Sequence, residues 1–449
     1  MTFDPKQLAD FARYYGFHYD ICDPFTLMQD IRFEMDRGLK GESSSLPMLP
    51  SYLSPISHVP AGKTVIALDA GGTNMRAALV HFDENGKTIA EGTRKTHMPG
   101  TKGLVTAEKF FDEIAELIMP LLEKAKNLEG IGFCFSYPME MTKDSDGILL
   151  GFSKEVDAPD VIGKAIGAGL REALAKRGAK VPERIVLLND TVATLLSGLA
   201  EIPPNDRKHE SEEVYKVENG PVIGFILGTG LNIAYPEKEI PKINFSSSQA
   251  QVVVCETGDF ATRYMGILDK EYDKTTKNPN SYTFEKATAG AYLGPLTHFI
   301  IKQAIRDKVL SFEKSDEMFA LPTLQTRDVN EFMHDPLTGK GPIGGLFGHD
   351  ERDALTSFVY LTSIITKRAG IFAGTAIAAS IDRISSGYDP MVPVRVAVEG
   401  TTYVIYKGLR ETLESNLHML LNANGPRSYV ISPVEQASLF GAAVAALSR

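Results

Sequence analysis

Two glycine-bearing stretches and one acid at the end of an apolar run carry the chemistry this sequence offers. In Asp69-Ala-Gly-Gly-Thr-Asn, Gly71 and Gly72 free backbone N–H groups to approach phosphate oxygens, and Thr73 and Asn74 add side-chain donors. An ordinary hairpin turn also needs a glycine, but neither a buried acid before it nor a Thr-Asn pair after it. Asp69 is placed to orient a magnesium-bound water. Arg76 lies either near the phosphates or in a surface salt bridge. Gly228-Thr229-Gly230 is a common turn in isolation and gains meaning by repeating the first. Two such loops facing across a cleft grip one polyphosphate from both sides. The acid is Asp190, in Asn189-Asp190-Thr191, which ends the run Arg184-Ile-Val-Leu-Leu. A carboxylate there must be hydrogen-bonded or catalytic, because an unpaired buried charge is costly. Asp190 either caps a helix or accepts the proton of an attacking hydroxyl in phosphoryl transfer.

Other chemistries are poorly served. The Gly-Lys-Thr at Gly62 has Ser57 where a Walker loop requires its first glycine, and no Gly-x-Gly-x-x-Gly, Cys-x-x-Cys or His-Glu-x-x-His occurs. A nicotinamide or zinc enzyme is therefore not expected. With 47 basic against 57 acidic residues the formal charge is −10, which argues against a nucleic-acid or anionic-membrane surface. Cys22, Cys134 and Cys255 are too few and scattered for a disulfide framework, so a reducing cytoplasm is the expected compartment. The N-terminus lacks a signal-peptide pattern, and the longest nearly apolar run, Ile371 to Ile381, is too short to span a bilayer.

These groups need a scaffold, and 449 residues at about 150 per domain allow two or three domains. Leu27, Ile31, Met35 and Leu39 mark a helix ending near Gly38 and Gly41. From Thr64 three antiparallel strands are expected, then a helix with Phe110, Ile114, Leu117, Ile118 and Leu121 on one face, and a buried strand from Gly130. A helix over about Ala158 to Arg177 precedes the strand ending in Asn189-Asp190, where open α/β sheets place their ligands. Strand, glycine-threonine turn, strand then recurs at 221 to 235 as it stood at 65 to 80. Two related halves facing one another are implied. Residues 203 to 219 read as a solvated charged loop and 311 to 350 as irregular. A small-residue helix near Phe358 to Ile384, a strand at Val394 to Glu399 and a closing helix with Ala437, Gly441, Ala442 and Ala445 complete the chain.

The ordered motifs resemble those of the hexokinase family, in the superfamily of sugar kinases, heat-shock proteins and actin, over nearly the whole length. Met48-Leu-Pro-Ser-Tyr and Ala67-Leu-Asp-Ala-Gly-Gly-Thr-Asn-Met-Arg resemble the family's opening, and Gly132-Phe-Cys-Phe-Ser-Tyr-Pro its sugar-binding strand. The resemblance implies an α/β protein of two ribonuclease H-like domains, the actin-like ATPase fold, facing across a cleft. Residues 62–200 with the helix at about 434–449 would form the small domain, and 1–61 with 201–433 the large one. It implies ATP-dependent phosphorylation of a hexose, with glucose expected, at the 6-hydroxyl, aided by Mg2+ and domain closure. Ser136, Ser153, Lys154, Asn189, Asn232 and Glu256 would hold the sugar, Asp190 would be the base, and Lys154 would also stabilise the transferring phosphoryl group. Gly400, Thr401 and Ser438 would line the nucleotide beside the two glycine loops. The resemblance leaves open a non-catalytic sensor or scaffold of the same fold and a kinase for fructose, mannose or an amino sugar. The expected partners are a sugar and a nucleotide, in a monomer or homodimer. Phe284-Glu-Lys-Ala-Thr-Ala-Gly-Ala-Tyr-Leu-Gly resembles a segment ending in a second sugar-binding glutamate, but Pro295 stands there, so one sugar contact is expected to be missing. Val254 and Thr257, flanking Glu256, also depart from the family pattern.

Overall fold

The apolar run from Thr64 onward opens the first of two large sheets. The computed structural model describes residues 2–55, 59–84, 87–152, 156–200 and 220–448. Helix α1 (Pro24–Lys40) starts on the Asp23 side chain and stops at Gly41, which adopts the left-handed conformation. Strands β1 (Thr64–Gly71), β2 (Asn74–Phe82) and β3 (Thr88–His97) form an antiparallel meander. Helix α2 (Ala107–Lys124), β4 (Leu128–Phe135), α3 (Ile166–Lys176) and β5 (Ile185–Leu188) follow, β4 and β5 adding parallel to β1. The sheet order is β3-β2-β1-β4-β5. Helix α4 (Asp190–Ala200) then leaves the sheet.

The second sheet repeats this plan. Strands β6 (Val222–Leu227), β7 (Leu231–Ile240) and β8 (Phe245–Val254) are antiparallel, and β9 (Val394–Glu399) and β10 (Tyr429–Pro433) add parallel to β6. Its order is β8-β7-β6-β9-β10, with the short strand Leu49–Pro50 on the edge of β8. The sequence repeat at the glycine turns is therefore a repeat of five-strand units. Between β8 and β9 lie α5 (Ile267–Asp273), α6 (Thr283–Lys286), α7 (Leu293–Arg306) and the long α8 (Arg352–Arg383). Helix α9 (Thr401–Ile405) follows β9, and α10 (Ala437–Leu447) follows β10.

Helices α4 and α10 occupy equivalent places in the repeat, and each packs on the other unit's sheet. Helix α4 lies on β6 and β9, α10 lies on β4 and β1, and the two helices pack on one another. Small residues make this possible. A methyl at Gly132 of β4 would stand 1.7 Å from the Ala442 carbonyl oxygen, and one at Gly441 2.0 Å from that of Ala193. One at Gly224 of β6 would stand 2.6 Å from both the Leu195 nitrogen and the Thr191 oxygen. Every residue of α4 after Asp190 is buried. A hydrophobic cluster built on α4 and α10 thus joins both sheets, separately from the cores beneath α2 and α3 and around α8.

Several sequence expectations require correction. The helix expected from Ala158 is a 3-10 turn, Pro159–Val161, followed by α3 from Ile166, because Gly163 takes a left-handed conformation between them. Residues 311 to 350 are not irregular throughout but hold short helices at Ser315–Ala320, Thr326–His334 and Gly341–Gly344. The apolar helix begins at Arg352, and its full length makes it, among the described residues, the one helix long and apolar enough to cross a bilayer; 89% of its apolar window is buried in this fold. The loop expected at 203 to 219 lies outside the described residues. Overpacking typically costs about 1–3 kcal/mol, so with backbone as the obstacle Gly441→Ala is expected to lower the unfolding free energy by about 3 kcal/mol. Urea denaturation measures this, and an unchanged midpoint would contradict the packing of α10 on α4.

Candidate active site

The first glycine turn joins β1 to β2, and the register sets Asp69 opposite Arg76. Their side chains form an ion pair at 2.7 Å. Burial pushes the Asp69 carboxyl above its usual range, opposed by the Arg76 charge and hydrogen bond. Gly72 takes a positive φ of 75°, and its carbonyl accepts the Tyr137 hydroxyl at 2.5 Å. Ser136, at the end of β4, is fixed by its N–H on the Ala70 carbonyl, 3.0 Å away. A methyl at Gly71 would lie 3.7 Å from Ser136 Oγ and 3.9 Å from Asp69 Oδ1, so turn, acid and hydroxyl border one space.

The second turn is braced from behind. The Gly228 carbonyl accepts Gly290 N–H at 2.8 Å and Thr402 Oγ1–H at 2.7 Å, and the Thr229 carbonyl accepts Ala291 N–H at 3.1 Å. A trans peptide sets its N–H opposite its C=O, so the N–H groups of Thr229 and Gly230 face away from this brace, as an anion cradle requires. Gly400 closes the other side at φ +126°, where a side chain would meet the Leu227 carbonyl oxygen at 2.2 Å. Thr401 is exposed at the start of α9, and Ser438 is half-buried in the first turn of α10.

Asp190 is the first residue of α4. The helix cap is supplied by its neighbour: Asn189 Oδ1 accepts Val192 N–H at 2.8 Å, so the capping alternative for Asp190 is set aside. The Asp190 carboxylate accepts the Thr191 hydroxyl at 3.2 Å. Its charge reaches two groups of acids. On one side are Glu256 and Glu285, and on the other Glu399, which also senses Asp69. One carboxylate is therefore within electrostatic reach of the Glu256–Glu285 pair and of Glu399.

In that pocket Asn232 Nδ2 donates to Glu256 Oε1 at 3.1 Å, while Asn232 Oδ1 accepts the N–H groups of Ile233 and Thr257. Desolvation, joined by the charges of Asp190, Asp259 and Glu285 and opposed by the Asn232 hydrogen bond, pushes the Glu256 carboxyl up to about 7. Glu285 accepts Leu231 N–H at 2.9 Å and is also raised by burial, against that hydrogen bond. Pro295 is in the first turn of α7 and offers no carboxylate, while Glu285, on α6, lies close enough for its charge to raise Glu256. Glu285, Glu399, Thr402 and Tyr137 were missed in the sequence. Glu285 and Tyr137 had a signal, since they lie in the segments singled out around Phe284 and Ser136. Ser153 and Lys154 lie outside the described residues.

Among the described residues no cluster of three or more His, Cys, Asp or Glu side chains forms a metal cage. Magnesium commonly takes one or two carboxylates with the substrate's phosphates, and Asp69 with Glu399 nearby fits that donor set.

Hexokinase family models match residues 17–200 and 222–448. The chain is 29% identical to hexokinase-1 of Oryza sativa subsp. japonica, covering 93% of this chain and 86% of that protein, and 27% identical to hexokinase-7 of the same plant, covering 93% and 91%. Hexokinase-2 of Candida albicans is 26% identical, over 92% of this chain and 86% of its own. Among solved structures, a hexokinase from Schistosoma mansoni complexed with glucose superposes with a TM-score of 0.75 at 25% identity, over 99% of both chains.

A protonated Glu256 favours the folded state, so its stabilisation is complete below the ordinary pKa near 4.5 and is lost as pH rises through about 7. Glu256→Gln, which does not titrate, is therefore expected to be more stable than the ligand-free parent above pH 7, by on the order of 2–3 kcal/mol. The advantage closes below about pH 5. Thermal unfolding across pH tests this, and a pH-independent difference would contradict it.

Proposed function

The chain belongs to the hexokinase family and is an ATP-dependent hexose kinase; we propose that its acceptor is the 6-hydroxyl of glucose and that Asp190 is the general base. The observation that carries this reading is the position of Asp190, the first residue of α4, electrostatically coupled to the paired glutamates on one side and to Glu399 on the other. Negative charge at a helix N-terminus is favourable, so the site suits an ionised carboxylate.

In this reading Asn232, Glu256, Glu285, Asn189 and Ser136 hold the sugar hydroxyls. Carboxylates accept hydrogen bonds from hydroxyl donors, and such charged bonds are stronger than neutral ones. Glu256 and Glu285 crowd each other when the pocket is empty, and sugar hydroxyls relieve that crowding by bonding to the ionised forms. Ser153 and Lys154 would complete the pocket by sequence resemblance. The sugar oxygen O6 attacks the γ-phosphorus while its proton passes to Asp190. The bond from the γ-phosphorus to the β,γ-bridging oxygen breaks, and ADP leaves. The two glycine turns hold the phosphates, Arg76 can exchange Asp69 for a phosphate oxygen, and Gly400, Thr401 and Ser438 border the nucleoside. Magnesium bound with the nucleotide would be held near Asp69, through water, and would neutralise phosphate charge.

Water at roughly 55 M competes with the sugar hydroxyl, so closure of the halves on sugar must complete the site. The pivot is the α4–α10 pair, since both helices begin at the cleft and both touch the opposite unit. The burial of all three unpaired cysteines supports a reducing, cytoplasmic compartment.

Asp190→Ala is expected to lower kcat by about 10²–10⁴-fold in a coupled assay for glucose 6-phosphate, with glucose still bound in calorimetry. Retained turnover would remove Asp190 from the role of base. Small-angle scattering of the parent is expected to show a smaller radius of gyration with glucose than without it; identical profiles would count against closure.

A further inference from the structure

Helix α5 carries two acids one turn apart, and both are consumed by buried ion pairs. Asp269 receives Arg368 of α8 through two hydrogen bonds at 2.6 and 2.7 Å, with both side chains 1% exposed. Asp273 receives Lys286, the last residue of α6, whose side chain is 3% exposed. Lys286 also donates to the Asn278 carbonyl at 2.7 Å, and the second Asp273 oxygen accepts Asn280 N–H at 2.7 Å. Helix α5 is thus a strut from the core helix α8 to the turn that presents Glu285.

That turn is bonded to segments on two sides of the polar pocket. Tyr282 N–H donates to Asp259 at 2.9 Å, in the turn that follows Glu256. Glu285 holds Leu231, and five and six residues later Gly290 and Ala291 brace the carbonyls of Gly228 and Thr229. A buried ion pair contributes little net stability over an apolar replacement, because desolvation offsets attraction, so this pair's value lies in the geometry it imposes. A helix of four residues cannot hold its own orientation.

We propose that Lys286 is a positioning residue: anchored on Asp273, it fixes the α6 turn so that Glu285 in the sugar pocket and the Gly228 phosphate loop are held by one element. The proposal rests on the reading of Glu285 as a sugar contact.

The test uses the full-length protein and steady-state kinetics in glucose and ATP. Removing one partner strands a buried charge, so the informative variant removes both, Lys286→Met with Asp273→Leu. A misplacement of about an ångström in a bound geometry can cost up to about 100-fold, so the double variant is expected to raise KM for glucose at least about tenfold and KM for ATP about threefold. Its melting temperature should stay near that of the parent. Lys286→Arg, which keeps the charge, should return both KM values to within about threefold of the parent. A folded double variant with parental KM for both substrates overturns the proposal. Should the double variant not fold, Lys286→Met with Asp273→Asn, which removes both charges and keeps the size of residue 273, takes its place: a raised glucose KM supports the proposal and an unchanged one overturns it. Glu285→Gln is measured alongside. If it leaves glucose KM unchanged, the sugar assignment of Glu285 fails; if it raises that KM while the pair variants do not, the positioning role alone fails.

Discussion

The arrangement depends on the exchange of α4 and α10 between two like sheets. Each helix buries one face on the other unit and another face on its partner helix, and the approach is so close that side chains at Gly132, Gly224 and Gly441 would strike backbone. An apolar joint of this kind is non-directional along its length, so it resists separation more than small rotations. It also determines where the chemistry sits. Asp190 begins one of these helices and Ser438 lies in the first turn of the other. The site follows from the joint rather than from either unit alone.

The second governing feature is a concentration of acid with little fixed compensation. The charge of Asp190 raises the carboxyls of Glu256, Glu285 and Glu399, Asp69 also raises Glu399, and Arg76 is the cation felt by Asp69 and Glu399. Such crowding is unfavourable in the empty protein and is relieved by hydroxyl donors on one side and a divalent cation on the other. Ligand-free instability and ligand affinity are then two expressions of one charge distribution. The overall charge of −10 makes this sharper, since a polyanionic nucleotide must be held by N–H groups and local cations against the field of the whole molecule.

Much of this was legible in the residues themselves. The turns at Gly71-Gly72 and Gly228-Thr229-Gly230 and the strand that ends before Asn189-Asp190 are encoded locally. The repeat of those turns also foretold the paired sheets, whose strand orders match one for one. Glu285 was not singled out because its hydrogen bond from Leu231 is a tertiary fact. Thr402 and Tyr137 were missed for the same reason: their hydroxyls reach carbonyls of distant turns, Gly228 and Gly72. The short helices between Ser315 and Gly344 contain too few residues to establish a period. Asn189 took the cap because its side chain reaches the third N–H ahead, which leaves the next residue turned to the cleft.

Because each closing helix is lodged on the sheet it does not belong to by sequence, the repeated units are not separable modules. A polypeptide severed between them would yield one piece whose β4 shows an uncovered glycine groove and another whose terminal helix has lost its seat. Two such fragments would be mutually dependent for folding, each acting as the other's template. An ancestral duplication could therefore have become irreversible once the helices crossed over, long before either copy acquired its present share of the cleft.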